Sequence, residues 1–548
     1  MNTPLSSAPA SAATTSGAAT TSAAATASKP ATAAKTVSAP APAATRNTPL
    51  PPAARYPALY QINTRVYLTD LSRRLGRPAT LDDIPDAELD RIRGMGFDWI
   101  WWLSVWSTSP RSRQVSRTNP DWRKDFEATL SDLSDEDIGG SGFAIREYAA
   151  SPALGGDAAL ARLRSRMAAR GLRLMLDFVP NHTGLDHRFL DEHPEFYVAG
   201  TAEQAAREPH NYFRAALPGG PEYLAFGRDP FFPGWPDALQ LNYGDPGLRE
   251  AMREELLSIA QRCDGVRCDM AMLVLPDVFQ KTWGIAMEPF WPGTIEAVKA
   301  SHPGFRFLAE VYWDLEWELQ QQGFDWTYDK RLYDRLRHDP ATSVRGHLRA
   351  ALAFQDRLAR FIENHDEARG ATAFADNVHP AAAAITFLSP GMRFFQEGQF
   401  EGRKVRVSPH LVRGPEEPVN GGLAAYYERL RPIVASDVVR NGDWMLLECY
   451  PAWEGNGSAA SFITMSWTKG NARLLVAVNN SAGPAQGYVR WPWGELAAHT
   501  IRLSDRLGSD VYWRAGADLR DHGLYLDVPP WTAHVFEVAV EGPDGPTA

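Results

Sequence analysis

Positive charge in excess is what this 548-residue chain lacks: 56 Lys and Arg stand against 66 Asp and Glu, for a formal net charge of −10. Binding to a polyanion relies on clustered basic surface, so no nucleic-acid partner is expected. Long apolar runs are missing too. None approaches the ~20 residues of a membrane-crossing helix, and no membrane partner is expected either. Cysteine is scarce, with three residues that cannot all pair. Cys263 and Cys268 flank one strand start without metal-ligand spacing and read as reduced core residues, which leads to the expectation of a reducing, cytoplasmic setting. The first residues, MNTPLSSAPASAATTSGAATTSAAATASKP, have neither the basic start nor the Leu-rich core of a secretory signal. Rich in Ala, Thr, Ser and Pro, residues 1–54 cannot bury enough apolar area to offset chain entropy, and a disordered tail is expected there.

What is present is a soluble, globular composition, 44% hydrophobic and 22% charged, long enough for two or three structural units. The 18 Trp and 17 Tyr supply aromatic faces of the kind on which amphipathic ligands such as sugar rings stack. From Tyr56 onward, apolar runs alternate with amphipathic stretches. LYQI (59–62), FDWIWWLS (97–104), LRLMLDFV (172–179), GVRCD (265–269), FRFLAE (305–310), FDWTY (324–328), ARFIENHD (359–366) and MRFFQ (392–396) make eight strand candidates in series. Runs apolar through most of their length suit parallel strands covered on both faces. Between them, DAALARLRSRMAARG predicts a helix capped by Asp157 and closed at Gly171, and the stretch from Asp245 predicts one with Pro246 in its first turn.

Eight alternating strands predict a (β/α)8 TIM barrel over residues 55–435. An open doubly wound sheet is the alternative, but no glycine-rich phosphate loop follows the first strand. The connection over 183–240, rich in Pro, Gly, Asp and aromatics, predicts a small inserted loop-rich subdomain after strand 3. From 436 to 548 the pattern becomes RLLVAVNN, QGYVRWPW, GLYLDV and HVFEVAV. Its period-two alternation predicts a C-terminal antiparallel β-sandwich domain.

Four of these strands end in charge. Asp177, Asn181 and His182 follow the third; Arg267 and Asp269 the fourth; Glu310 the fifth; Glu363, His365 and Asp366 the seventh. Arg267 and Asp269, two apart in a strand, share a face: they form either a structural ion pair or part of an active site. Any one such acid can be architectural. Several acids converging on the carboxyl rim of a barrel, with few basic groups, repel one another at a cost that a function must justify. Divalent-metal binding and glycoside cleavage both use carboxylates gathered this way.

LDFVPNH, GVRCD, FLAEV and ENHD, in this order at successive strand ends, resemble the four signature segments of the α-amylase superfamily, the retaining α-glucoside-active enzymes of glycoside hydrolase family 13. The resemblance runs from about Tyr56 to the end of the chain. It implies Asp269 as nucleophile, Glu310 as general acid then base, and Asp366 as the third acid steadying an oxocarbenium-like transition state. It implies Arg267 as the group holding Asp269, His182 and His365 as hydroxyl-binding histidines, Phe143 in GFAIREY as a stacking ring, and Asp177 as a residue orienting Arg267 or its neighbours. Retention needs two carboxyls about 5 Å apart, one attacking the anomeric carbon and one protonating the leaving oxygen, which adjacent strand ends supply. Glu310 is expected to lack a cation and to sit in a drier pocket.

The pattern also departs from the family. Met272 and Leu273 replace a Lys-His pair that serves the acceptor side, predicting an apolar acceptor subsite, with Trp313 and Trp317 as further acceptor-holding rings. Ala144 replaces an acid used by many exo-acting members. Asn181 matches a calcium ligand of the family while Gln240 stands where Asp is common, so no cofactor is required and a structural calcium is the open question. The expected activity is α-glucosidase-like or amylase-like hydrolysis of a small carbohydrate or α-glucan. A transglycosylase, a non-catalytic amylase-like binding protein and a metal-dependent barrel hydrolase are the competing readings.

Overall fold

The computed structural model describes residues 53–215, 217 and 220–541. The expected tail, but for residues 53 and 54, lies outside them. Strands β1 (Ala58–Asn63), β2 (Trp99–Leu103), β3 (Arg173–Phe178), β4 (Gly265–Cys268), β5 (Arg306–Ala309), β6 (Trp326–Tyr328), β7 (Leu358–Arg360) and β8 (Met392–Gln396) close into a parallel barrel, ordered β1-β8-β7-β6-β5-β4-β3-β2 around the ring. Each falls within or overlaps one of the eight apolar runs.

The reason is burial on both faces. In β2, WIWWL is buried along its whole length. Trp101 turns inward and donates from Nε1 to Asp177 at 2.9 Å, while Trp102 turns outward and meets Tyr67 edge-on at 5.5 Å. Strand β4 opens with Gly265, where an added Cβ would lie 2.7 Å from the Arg306 carbonyl and 3.1 Å from the Trp99 ring. Only glycine lets those neighbours approach so closely.

The helix Pro246–Ala260 forms as its sequence predicts: the Asp245 side chain accepts from the Leu248 N–H at 3.0 Å, and Leu248, Met252, Leu256, Ile259 and Ala260 make its buried stripe. The helix Gly156–Ala169 differs. Gly155, in the left-handed region at φ 98°, takes the capping position, and Asp157 sits within the first turn, accepting from the Ala150 N–H at 2.9 Å. No helix among the described residues is long and apolar enough to cross a membrane, and Cys268 and Cys449 are free thiols.

Three additions frame the barrel. A short antiparallel pair, Trp106–Thr108 with Ile145–Ala150, follows β2. After β3 comes a five-stranded sheet in which Trp235–Gln240 pairs with both His182–Gly184 and Tyr223–Gly227. The chain ends in a six-stranded and a three-stranded antiparallel sheet, with Phe462, Leu475, Val489, Ile501, Leu526 and Phe536 buried together.

Candidate active site

The parallel register sets Arg267 of β4 beside Asp177 of β3 and Leu308 of β5, so its side chain rises through the barrel interior towards the carboxyl rim. Its guanidinium is fully buried, with the rings of Trp101, Phe143 and Tyr328 at 5.3, 5.2 and 5.7 Å. Nε donates to the Tyr328 hydroxyl at 3.2 Å and Nη1 to Asp269 Oδ1 at 2.5 Å. Nη2 lies 2.7 Å from Glu310 Oε2 and 3.8 Å from Asp366 Oδ2, yet it meets the geometry of a hydrogen bond with neither. One cation therefore serves three acids. Burial alone would lower its charge, but the acids overcome that and raise its pKa well above the ordinary arginine value.

Asp269 follows β4 directly, with its N–H bound to the Phe178 carbonyl at 2.8 Å. The next residue, Met270, adopts φ 42° without being glycine, which costs the backbone on the order of 1–3 kcal/mol. That turn points the Met270 N–H at Glu310 Oε2, 2.6 Å away, while the Tyr312 hydroxyl donates to Oε1 at 2.8 Å. Burial pushes the Glu310 carboxyl up to about 8 against the pull of Arg267, with Asp269 and Asp366 adding to the push. The expectation that Glu310 lacks a cation is thus overturned. Neighbouring strands put it within reach of the same fork that holds Asp269, and desolvation still dominates.

Asp366 stands at the seventh strand end beside His365, whose Nε2 is 3.1 Å from Asp366 Oδ2. The surrounding protein raises the Asp366 carboxyl, although 37% of its side-chain surface stays open to the cavity, so solvent screening moderates that push. Gln61 Nε2 meets His365 Nδ1 at 2.8 Å, and burial lowers the His365 pKa well below the ordinary value, leaving a neutral ring. Glu363, the other acid of ENHD, turns away to Arg369 at 3.1 Å and the Gly370 N–H at 2.6 Å.

Asp269, Glu310, Asp366, His182 and Phe143 line one cavity of about 300 Å³. Arg267, His365 and Asp177 stand behind its wall. Of the two roles expected for Asp177, orienting neighbours is the one its contacts fit: it accepts from Trp101 Nε1 and, at 2.8 Å, from the Ser104 N–H, while making no ion pair with Arg267. Residues the sequence reading missed complete the lining, among them Trp122, Trp235, Asp237, Met270, Tyr312 and His410. Met272 and Leu273 are buried in the turn behind Met270, so they form no acceptor subsite. Trp313 and Trp317 lie outside the cavity on the surface, Trp313 edge-on to Phe231 at 5.0 Å. A larger cavity of about 740 Å³ separates the Pro432–Val438 segment from the C-terminal sheet, but its charges are spent on one another, as in Lys469–Asp437 at 2.6 Å and Arg506–Glu537 at 2.7 Å.

The calcium implied by the family resemblance does not fit the residues present. Gln240 Nε2 faces Asn181 Oδ1 at 2.9 Å, the Asn181 carbonyl at 3.0 Å and the Leu241 carbonyl at 3.1 Å. Two of those acceptors are backbone carbonyls, which fixes the amide with its nitrogen inward. A neutral donor already engages the oxygens a cation would need. Elsewhere among the described residues, no group of three or more His, Cys, Asp or Glu side chains is arranged to hold a metal.

Comparison with known proteins follows this geometry. The family model of the α-amylase catalytic domain matches residues 80–323. Over that stretch the chain is similar to the α-amylase superfamily. Its similarity to the α-amylase MalA of Haloarcula japonica is 23% identity over 376 residues, 66% of this chain and 47% of that protein. A second relative, the α-1,4-glucan:maltose-1-phosphate maltosyltransferase of Burkholderia pseudomallei, is 28% identical over 301 residues, 52% of this chain and 22% of its own length. The matches thus span about half or less of these curated relatives. Among solved structures, the noncanonic maltogenic α-amylase AmyB of Thermotoga neapolitana superposes with a TM-score of 0.60 at 17% identity, over 89% of this chain and 99% of that one. The chain shares the barrel and the C-terminal sheets with that neighbour at the level of fold.

Proposed function

We propose that the protein is a retaining α-glucoside hydrolase working by double displacement. Asp269 attacks the anomeric carbon as Glu310 hands its proton to the departing oxygen: the glycosidic C–O bond breaks and an ester to Asp269 forms. Water then attacks the same carbon, Glu310 takes the water's proton, and the ester bond breaks, so two inversions return the starting configuration. Asp366 faces the charge that develops on the ring. His182, Phe143 and His365 position the sugar, with α-glucans and short α-glucosides as the substrate class.

One observation carries this reading: two acids on adjacent strands share one guanidinium, yet one receives a direct hydrogen bond from it at 2.5 Å while burial keeps the other protonated to about pH 8. Acid-base chemistry at neutral pH asks for that division of labour. Trapping with a slow fluoroglycoside substrate followed by peptide mass spectrometry is expected to find the glycosyl adduct on Asp269; an adduct on another residue rejects the mechanism.

Transfer to a sugar acceptor in place of water is a second reading, favoured by the aromatic lining of Phe143, Trp235 and Tyr312 and by the maltosyltransferase among the relatives. Product analysis with rising maltose as acceptor separates the two. We further propose that the enzyme works without calcium, on the strength of the Gln240 amide.

A further inference from the structure

The inserted sheet brings to the cavity an acid that the mechanism above does not use. Asp237 lies in the strand Trp235–Gln240 and lines the same cavity as Asp269 and Glu310. It is 96% buried, being 4% exposed, and its Oδ2 has no hydrogen-bond partner. No Lys, Arg or His among the described residues forms an ion pair with it. Its backbone carbonyl accepts from Ser112 Oγ at 2.6 Å, which ties this strand to the helix Pro110–Thr118. Burial pushes this carboxyl up to about 7, opposed only by its own backbone N–H. An unpartnered buried carboxyl is a standing cost to the fold, and such costs persist where a ligand relieves them.

Charge narrows the ligand. Asp237, Asp269, Glu310 and Asp366 all line the cavity, and no Lys or Arg does so; Arg267 lies beneath and the exposed Arg406 acts on Asp366 and His365 from the edge. Even with Glu310 protonated, an anionic substituent would face the remaining acids and no Lys or Arg in the lining, whereas hydroxyl groups would find an acceptor. Trp235, two residues before Asp237, packs edge-on to His182 at 5.1 Å and offers an apolar surface on the same wall. An acceptor next to an aromatic surface matches a sugar ring, with hydroxyls at its rim and C–H groups on its face.

We propose that Asp237 is a substrate-binding residue that accepts hydrogen bonds from hydroxyls of an uncharged sugar and disfavours phosphorylated or otherwise anionic sugars in this cavity. The proposal rests on reading this cavity as the α-glucoside site and names its substrate class. It is distinct from the use of maltose 1-phosphate in the name of the Burkholderia relative.

The test is calorimetric binding to the full chain carrying Glu310→Gln, so that turnover does not intervene. Maltotriose, a series of its monodeoxy analogues and maltose 1-phosphate are the probes. Asp237→Ala is expected to weaken maltotriose by about 10- to 100-fold, the range for a hydrogen bond to a charged acceptor. One deoxy analogue should bind Asp237→Ala and its parent equally, because the bond is missing in both. The phosphate ester should bind the parent at least about 10-fold more weakly than maltotriose, and this gap should narrow in Asp237→Ala. Asp237→Asn, of the same shape, should raise the melting temperature by removing the buried acid while still weakening maltotriose, and it decides the matter should the alanine variant not fold. Equal affinities of parent and both variants across the deoxy series overturn the proposal, as does a phosphate ester bound as tightly as maltotriose. A wild-type chain that cleaves no α-glucoside but shows the deoxy pattern keeps Asp237 in its role and rejects the catalytic reading. Cleavage with an unchanged maltotriose affinity in Asp237→Ala does the reverse.

Discussion

Arg267 and Arg360 are both fully buried in this barrel against carboxylates, and their surroundings differ in completeness. Arg360, at the end of β7, is fully buried; Nη1 donates to Asp329, Nη2 to Gln355 and Nε to the Pro390 carbonyl at 2.9 Å. Asp329 in turn accepts from the Leu332 N–H at 3.1 Å and meets His347 Nε2 at 3.0 Å. Burial acts to raise the Asp329 carboxyl, but His347 and Arg360 overcome it and hold it at about 2. Arg267 has three acids around it, one guanidinium nitrogen without a properly aligned acceptor, and a neighbour, Glu310, pushed up to about 8. The residue types are alike; the balance is not. A closed ion pair is what architecture needs, whereas surplus acid with a mobile proton is what catalysis uses.

The largest effect should come from breaking the unbalanced centre. Asp269→Asn removes the proposed nucleophile and is expected to lower kcat by several orders of magnitude; Glu310→Gln should lower it by about 10²- to 10⁴-fold, the range for general acid-base contributions. Both variants should melt within a few degrees of the parent, since neither takes away a fully bonded architectural group. Steady-state kinetics beside thermal melts checks this, and a variant that loses stability rather than turnover would place the acids with the architecture.

Asp329→Asn probes the balanced centre. It leaves Arg360 buried without its anion, which should cost about 3–5 kcal/mol of stability, read as a lower urea midpoint, while the remaining folded enzyme keeps its kcat. The opposite result, normal stability with collapsed turnover, would erase the distinction between the two centres.

Titration sharpens the same contrast with smaller effects. In the proposed mechanism Glu310 must carry a proton to release the leaving oxygen, so kcat should fall as pH rises through about 8. The raised pKa also has a stability sign: ionising Glu310 is disfavoured in the fold, so its contribution is present below the ordinary glutamate value near 4.5 and is lost as pH rises towards 8. Asp329 runs the other way. Held at about 2 from an ordinary 3.8, it contributes stability above 3.8 that is lost as pH falls through 2. Melting temperatures over pH 2–9 for the parent, Glu310→Gln and Asp329→Asn resolve the two windows. Glu310→Gln should gain on the parent as pH rises from about 5 to 8, and Asp329→Asn should lose its deficit only at the acid end.

The barrel was legible because each strand is buried on both faces and therefore reads as an apolar run, and because the charged rim residues sit within six positions of strand ends. The ion-pair pattern of GVRCD was readable for the same reason: two residues apart means one face. Asp237, Trp122 and His410 were not readable, because only the three-dimensional path of the long loops carries them to the cavity; a signal for Asp237 existed in the alternation of WPDALQL, where an acid shares a face with Trp235 and Leu239. Met272 and Leu273 misled for a local reason. The left-handed turn at Met270 sends the chain back into the core, and periodicity alone does not reveal a positive φ at a non-glycine residue. The sharing of Arg267 between Asp269 and Glu310 was hidden as well, since it depends on the register between β4 and β5 rather than on either segment.

The smallest expected effect concerns calcium, and it follows from the donor count at Gln240. Three oxygens, Asn181 Oδ1 and the carbonyls of Asn181 and Leu241, converge on one amide nitrogen. A cation there would have to displace that nitrogen, and Oε1, already without a partner, offers too little in return. Chelation should therefore change the melting temperature by no more than about 1 °C and leave kcat untouched. Gln240→Asp gives the sharper measurement. It replaces the donor with a carboxylate among three other oxygens, a set that repels itself until a hard cation enters. That variant should be less stable than the parent in chelator and recover on adding millimolar calcium, while the parent responds to neither; a parent that loses stability in chelator would show the amide yielding its place to the ion.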